Sequence, residues 1–563
     1  MGTVLTKLLI VTDSAFAQPL AEAMPDAGVL QRQIEAVRQS PIPAPISSGV
    51  TPKPEAKSEE QSPKVKINSF EINGSKLIES KELLALIQNQ IGQSLNFSQL
   101  EQLTLLLSDY YRSKGWFARV YLPEQDVSAG KIIIHIIEAE FSGTQLEPSE
   151  TRADRELIRR IVSGDLQPGQ AFAIKTIESG LLKANDLPGI KTIGILEPGQ
   201  QTGQTGVRLK IEDLPLVSAY LNYANQGVRS IGSNQYQGSL QLNDPLGRGD
   251  QFSLHALGSE NLVSIRGEYG WVVGQHGERF SIYGSHLQYE LGGSFTHLKA
   301  EGEARNIGGA LTYPLIRETE RNLSWRVALD NKLNQSGQLG HLTRVRDINT
   351  AILSINADQI DHGWGSAFNS GSLQFTAGNL NLDALKAEAI ADRKGPNAGG
   401  DFYKLNLNLN RLHNLADQWQ LSLGFNAQLA FKNLDSSQKF SLGGPSGVRA
   451  YPVNEGMGDS GWMLNVELRR QLGFGIQALV FADTGGVLVN QQMWSSARTS
   501  TPNSYMLSGV GLGLRWTHKD EWQASATVGL PLTTNPGSSN GQFNGDGTRA
   551  SDPSGWLSLT HFF

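Results

Sequence analysis

The sequence predicts a membrane all-β fold: a closed barrel of about sixteen antiparallel strands, preceded by two small α+β domains, a linker and a short N-terminal helix. Two observations predict it. From Leu216 onward, apolar and polar residues alternate with period two in segments of about ten residues separated by turn residues, the pattern of strands facing lipid on one side and a wet lumen on the other. Such strands must close on themselves, because an open edge in hydrocarbon leaves backbone groups unpaired. The chain ends on "WLSLTHFF", where Leu557, Leu559 and Phe563 share a face and an aromatic is terminal.

Composition agrees. Hydrophobic residues are 39% of 563, and no run of about 18 apolar residues exists to make a spanning helix. The net charge of −6 is mild and argues against a nucleic-acid binder, which concentrates a basic patch. There is no cysteine, so disulfides, thiol catalysis and Cys-based zinc sites are excluded.

In chain order, residues 1–17 read as a secretory signal peptide: Lys7, a short apolar run Leu8 to Val11, then Ala15 and Ala17 in an A-x-A pattern before Gln18. Within 18–39, Asp26 to Gln39 predicts a helix with Asp26 as N-cap and Val29, Leu30, Ile34 and Val37 as an apolar stripe. Residues 40–64 are rich in Pro, Ser and charge and predict an extended linker. From 65 to 141 the order is strand, helix, helix and a hairpin. "KVKINSFEING" is the first strand, and Leu100, Leu103, Leu106 and Tyr110 form the expected inner face of the second helix. A second unit of the same order occupies 142–213, so the two form an internal repeat.

The barrel is assigned to 214–563, with strands starting near 217, 234, 250, 262, 278, 297, 322, 346, 366, 402, 418, 462, 474, 506, 521 and 555. The piece 295 to 317 reads as one strand or as two. In "YKLNLNLN" the residues Tyr403, Leu405, Leu407 and Leu409 oppose Lys404, Asn406, Asn408 and Asn410. In "WMLNVELRR", Trp462, Leu464, Val466 and Leu468 oppose Asn465, Glu467 and Arg469. A large soluble β-sandwich or β-helix also alternates, but rarely combines a terminal Phe, aromatics at strand ends such as Trp419 and Trp462, and a signal peptide.

Between the eleventh and twelfth strands lies "FSLGGPSGVRAYPVNEGMGDSG", 440–461. Its glycines lack the following Gly-Lys-[Ser/Thr] of a phosphate-binding loop. His135, His286, His297 and His561 are scattered, with His286 and His297 expected in barrel strands, and no HExxH or Ser/His/Asp signature occurs. No catalytic residue, metal ligand or cofactor is expected, and the chain does not read as an enzyme.

Several stretches resemble, in order, the transporters of two-partner secretion (the TpsB type, exporters of haemolysins and haemagglutinins), within the outer-membrane assembly-factor superfamily. "GWFARVYLPEQDVSAGKI" looks like the close of the first polypeptide-transport-associated (POTRA) domain, with Gly115, Phe117, Tyr121, Leu122, Pro123, Gln125 and Gly130 carrying the likeness. "DLPGIKTIGILEPGQQTGQTGVRLKI" is similar to the end of the second. "LNYANQG" and "LNDPLGRGDQFSL" resemble the first barrel strands, "FSLGGPSGVRAYP" the sixth extracellular loop, and "FADTGGV" the F-x-D strand motif.

The resemblance implies an outer-membrane pore that exports a large partner protein (an adhesin, a cytolysin or a haem-binding protein) without ATP. The POTRA domains lie in the periplasm, where an unfolded client adds itself as a strand; the alternative is that they only stiffen the barrel mouth. It implies that the sixth loop folds into the lumen, where Arg449, flanked by Val448 and Tyr451, pairs with Asp483 on the strand carrying Phe481. An ordinary solvent-facing loop is the alternative. It implies that the first helix plugs the lumen; docking on a POTRA domain is the alternative. Phe563 matches the outer-membrane targeting signal, which brings periplasmic chaperones, the barrel assembly machinery and the lipid bilayer in as partners. One departure stands out: the common V-R-G-[FY] reads Val448-Arg449-Ala450-Tyr451, so either the backbone is ordinary at 450 or the loop folds differently here. An assembly factor for other proteins, which usually carries more POTRA units, and a diffusion porin, which needs none, are the other readings.

Overall fold

The computed structural model describes residues 24–39 and 64–563 apart from 202, 364, 496, 498–500 and 539–540. The expected signal peptide, and the expected linker apart from its last residue, lie outside the described residues. The first domain is a three-stranded sheet, Ser69–Asn73, Lys131–Glu138 and Ala118–Tyr121 in spatial order, backed by helices Ser80–Ile87 and Phe97–Ser113. The longer helix begins in a capping box: Asn96 Oδ1 accepts the Gln99 N–H and Gln99 Oε1 accepts the Asn96 N–H, both at 2.9 Å.

Three expectations need correction here. The inner face of Phe97–Ser113 is Leu100, Leu103, Leu107 and Tyr111; Leu106 is exposed and Tyr110 only partly buried. The strand expected across 64–74 is broken. Val65–Lys66 pairs with Ser94–Leu95, and Asn68 turns its N–H to Gly130 O at 2.7 Å, so only Ser69–Asn73 joins the sheet. His297 lies in the short 3-10 helix Gly293–Leu298, not in a strand.

The second domain repeats the plan with strands Glu140–Leu146, Gln204–Asp213 and Ile190–Pro198 and helices Arg155–Ser163 and Ile174–Asn185. Each domain has its own apolar core. Backbone bonds join the two: Phe117 N to Phe172 O at 3.0 Å and Phe172 N to Ala139 O at 2.7 Å. The second domain is fastened to the barrel's periplasmic turns. Asp154 N donates to Gly247 O at 2.6 Å, and Arg317 holds Asp186 bidentately at 2.7 Å per bond. In the turn after Asn243, burial pushes the Asp244 carboxyl up to about 6, with Asp250 beside it adding to the effect.

The barrel is closed and has sixteen antiparallel strands. The first, Val217–Ala224, pairs with the last, Ser554–Phe562, from Ser558↔Ala224 to Phe562↔Tyr220. The piece 295–317 yields one strand, Glu301–Arg317. Strand lengths are unequal. Val217–Ala224 has 8 residues, whereas the seventh and eighth strands, Arg321–Gln338 and His341–Asp361, have 18 and 21. A bilayer span needs only about 9–11. The surplus lies at the extracellular end, where the outward side chains turn polar: Glu303, Arg305, Asn331, Gln335, Asp347 and Asn349 stand above the apolar Ile307, Leu329, Leu353 and Ile355. The seventh and eighth strands join through Leu339 and Gly340, both at positive φ (50° and 77°), a two-residue turn that matches strand twist.

Candidate functional site

Two assemblies lie inside the barrel: the tip of the sixth extracellular loop and the N-terminal helix. The loop leaves the eleventh strand, Trp419–Ala430, and returns into the twelfth, Ser460–Gly473. Val448 N donates to Leu442 O at 2.7 Å and Val448 is fully buried, which turns Arg449 toward the wall. The Arg449 guanidinium forks onto Asp483 of the thirteenth strand, Ile476–Leu488, with Nε to Oδ2 and Nη2 to Oδ1 both at 2.8 Å. Its backbone N–H adds a third bond to Oδ2 at 3.1 Å. Nη1 donates to Glu467 Oε2 at 2.6 Å, and the guanidinium lies 3.5 Å from the centroid of the Phe481 ring. Arg449, Glu467 and Asp483 are 7%, 5% and 2% exposed, so each depends on the others for compensation. Tyr451 is buried and donates its OH to Thr533 O at 2.8 Å.

Ala450 does not adopt the left-handed conformation, so the backbone needs no glycine there. Its methyl is admitted because the facing wall is bare. A Cβ at Gly509 would strike the Ala450 Cβ, and one at Gly529 would lie 2.7 Å from Arg449 C and O. Gly485 gives Leu442 the same room, a Cβ there falling 2.6 Å from its Cδ2. The rest of the site was not assigned from the sequence. Asn465 Nδ2 bridges Asp483 Oδ1 at 2.8 Å and Gly447 O at 2.9 Å; Trp556 Nε1 donates to Arg449 O at 2.8 Å. Glu467 also pairs with Arg469 and, at 2.9 Å, Arg515. Period-two alternation placed Asn465 and Glu467 on the lumen face but carries no information on what crosses the lumen to meet them.

The helix Ala27–Gln39 sits inside the barrel. Asp26 caps it, accepting the Val29 N–H at 3.0 Å, while its other oxygen meets Arg344 at 2.8 Å and Arg346 at 3.0 Å on the eighth strand. Glu35 pairs with Lys332 at 2.8 Å. Arg32 reaches the sixth loop through Lys439 O and, at 2.9 Å, Asn454 Oδ1. Gln31 and Gln33 are buried alongside Val29 and Leu30, so an apolar stripe alone understates how completely the helix is enclosed.

The POTRA-motif residues build the first domain. Gly115 and Gly130 adopt φ of 93° and 69°. Gln125 closes a loop on Ile133, accepting its N–H at 2.7 Å and donating to its O at 2.8 Å; Pro123 O accepts a weaker bond from the same amide. Phe117 packs edge-on to Phe172 at 5.7 Å, Tyr121 lies beside His135, and Leu122 packs on the core. Burial, and then Glu138 beside it, push the Tyr111 hydroxyl well above its ordinary range. A Cβ at Gly130 would collide with Lys66 O. Gly130→Ala is therefore expected to destabilise the first domain by ~2 kcal/mol through strain and clash. Limited proteolysis of the whole protein, comparing cleavage before and after residue 139, measures this.

Phe563 directly follows the last strand, its N–H bonded to Ala219 O at 2.9 Å, and it is 67% exposed.

A closed sixteen-stranded barrel preceded by two small α+β domains, with a loop tip and a helix inside its lumen, defines an outer-membrane β-barrel transporter. The chain belongs to the haemolysin secretion/activation protein family ShlB/FhaC/HecB, matched over residues 203–516, and residues 65–139 match the POTRA domain of the ShlB type. It is 26% identical over 92% of its length to the heme/hemopexin transporter protein HuxB of Haemophilus influenzae strain 86-028NP, of which it covers 93%. It is 25% identical to the outer membrane transporter CdiB of Dickeya dadantii, with 84% of each chain covered. The fold is that of the solved structure of CdiB from Escherichia coli, at a TM-score of 0.65 and 20% identity over 95% of this chain and 96% of that one. The protein is thus an outer-membrane transporter of two-partner secretion, its POTRA domains in the periplasm, and it exports a large partner protein.

Proposed function

We propose that the N-terminal helix is the plug of this transporter, that Arg449 latches the sixth loop, and that the client is a haem-binding partner. The observation that carries the gating reading is the pairing of Asp26 and Glu35 with Arg344, Arg346 and Lys332 across the lumen. Such contacts hold a helix without fusing it to the wall, because water and a passing chain can replace each of them. Buried pairs lose several kcal/mol when one partner is removed, and every ~1.4 kcal/mol is tenfold in an equilibrium. Asp26→Asn with Glu35→Gln is therefore expected to raise open-pore events in planar bilayers by about tenfold or more. An unchanged event frequency in the folded variant overturns the plug reading.

The client is received by strand addition on the POTRA sheets. The edge strand Ile190–Pro198 supports this: among the described residues it has no outer neighbour, and Ile193, Ile195 and Leu196 are exposed on it. The haem-binding class is put first because the likeness to HuxB runs through both domains and the barrel. Co-expression with haem-binding, cytolytic and adhesive partners, followed by immunoblots of the medium, tests the choice: export of another class alone overturns it. Insertion of the barrel itself uses periplasmic chaperones and the barrel assembly machinery, read through the exposed terminal Phe563.

A further inference from the structure

The wall against which the helix sits is basic, although the whole chain is acidic. On the seventh, eighth and tenth strands, the inward positions of the extracellular half carry Lys332, Arg344, Arg346 and Lys404, as the register Lys332↔Ile348, Asn334↔Arg346, Ser336↔Arg344 and Thr376↔Lys404 places them. The carboxylate inward on these strands nearest the patch is Asp330, below Lys332. Lys332 and Arg344 take their carboxylate partners from the helix, Glu35 and Asp26. Arg346 also has Glu388 and Asp435 from the extracellular loops. Lys404 forms no ion pair among the described residues. Its Nζ donates to Gln438 O at 3.1 Å, with Lys332, Arg32 and the helix carboxylate Glu35 within electrostatic reach.

We propose that this patch is an anion site of the open pore, for which the helix supplies resident carboxylates at rest. Once Asp26 and Glu35 leave, Lys332 and Arg344 lose their counterions and join Lys404 in a cationic stripe on one side of the lumen. A confined stripe of one sign raises the local concentration of the opposite charge. The open pore therefore prefers anions and holds carboxylates of a chain threading past it, so the helix is a stand-in for an acidic segment. This rests on the plug reading, and the test separates the two.

The full chain and a chain lacking residues 24–39 are reconstituted in planar bilayers under a KCl gradient. A rise in conductance on deletion reports the plug; the reversal potential reports the site. The expected result is a chloride preference of about threefold in the open events of both proteins. It is reversed by Lys332→Glu with Lys404→Glu and weakened by Lys404→Gln alone, which keeps a folded reference. Oligoglutamate is expected to shorten open events of the deleted chain, and oligolysine to leave them unchanged. A cation preference, or a selectivity indifferent to Lys404→Gln and to the double reversal, overturns the anion site even where deletion opens the pore.

Discussion

Arg449→Glu is expected to lower secretion of the partner protein by at least about a hundredfold while the barrel still folds and inserts. The guanidinium compensates two carboxylates, Asp483 and Glu467, that are almost without solvent. Breaking a buried pair costs ~3–5 kcal/mol because the stranded charge stays buried, and reversal adds a third carboxylate to the same pocket. The barrel's own ladder does not pass through Arg449, so the damage is confined to the loop tip, which is expelled from the wall. Arg449→Lys keeps the charge but cannot fork onto Asp483 and reach Glu467 together, and an intermediate loss of about tenfold is expected. Partner in the medium is compared with variant in the outer-membrane fraction, with heat-modifiable mobility as the sign of a closed barrel. Normal export by an inserted Arg449→Glu protein would sink the latch.

Gly529→Val is expected to produce the same secretion defect without touching a charge. A side chain at 529 meets the Arg449 carbonyl, which is backbone held by Trp556 Nε1 and cannot swing aside as a side chain would. Overpacking of this kind costs ~1–3 kcal/mol, and here the least costly relief is to lift the loop off its seat. Gly555→Ala on the adjacent strand is the control, since a Cβ there meets nothing within 4 Å. Export by the Gly529→Val protein at the level of Gly555→Ala would show that the loop does not need its seat.

Much of the barrel was legible because period-two alternation is long and regular there. Boundaries slipped where strands rise into water: the eighth was expected near 346 and begins at His341, because beyond the lipid its outward face is polar and the contrast fades. The helix face in the first domain slipped by one position because Leu105, Leu106 and Leu107 are consecutive, and spacing alone does not say which of three neighbours turns inward. The pairing of Arg449 with Asp483 entered through family resemblance. Glu467, Asn465 and Trp556 stayed unassigned because each meets the in-folded loop, and period-two alternation gives a residue's face but not which loop atom lies over it. The seat formed by Gly485, Gly509 and Gly529 is hidden for a different reason: glycine within a strand ordinarily signals weakness or a bulge, and only the packed loop shows that emptiness was required.

The uneven height of the wall has one more consequence. On the side of the long seventh and eighth strands a β-ribbon rises clear of the membrane, tipped by the tight turn at Leu339 and Gly340, while the first strands end close to the bilayer. Seen from the medium, the molecule is lopsided. An antibody or a bacteriophage can reach the tip of this ribbon from the medium, whereas Lys332, Arg344 and Arg346 lower on the same two strands face the lumen and hold the helix. Sequence drift forced by immune or phage pressure is therefore expected at Leu339 and Gly340 and not at those lumen-facing positions.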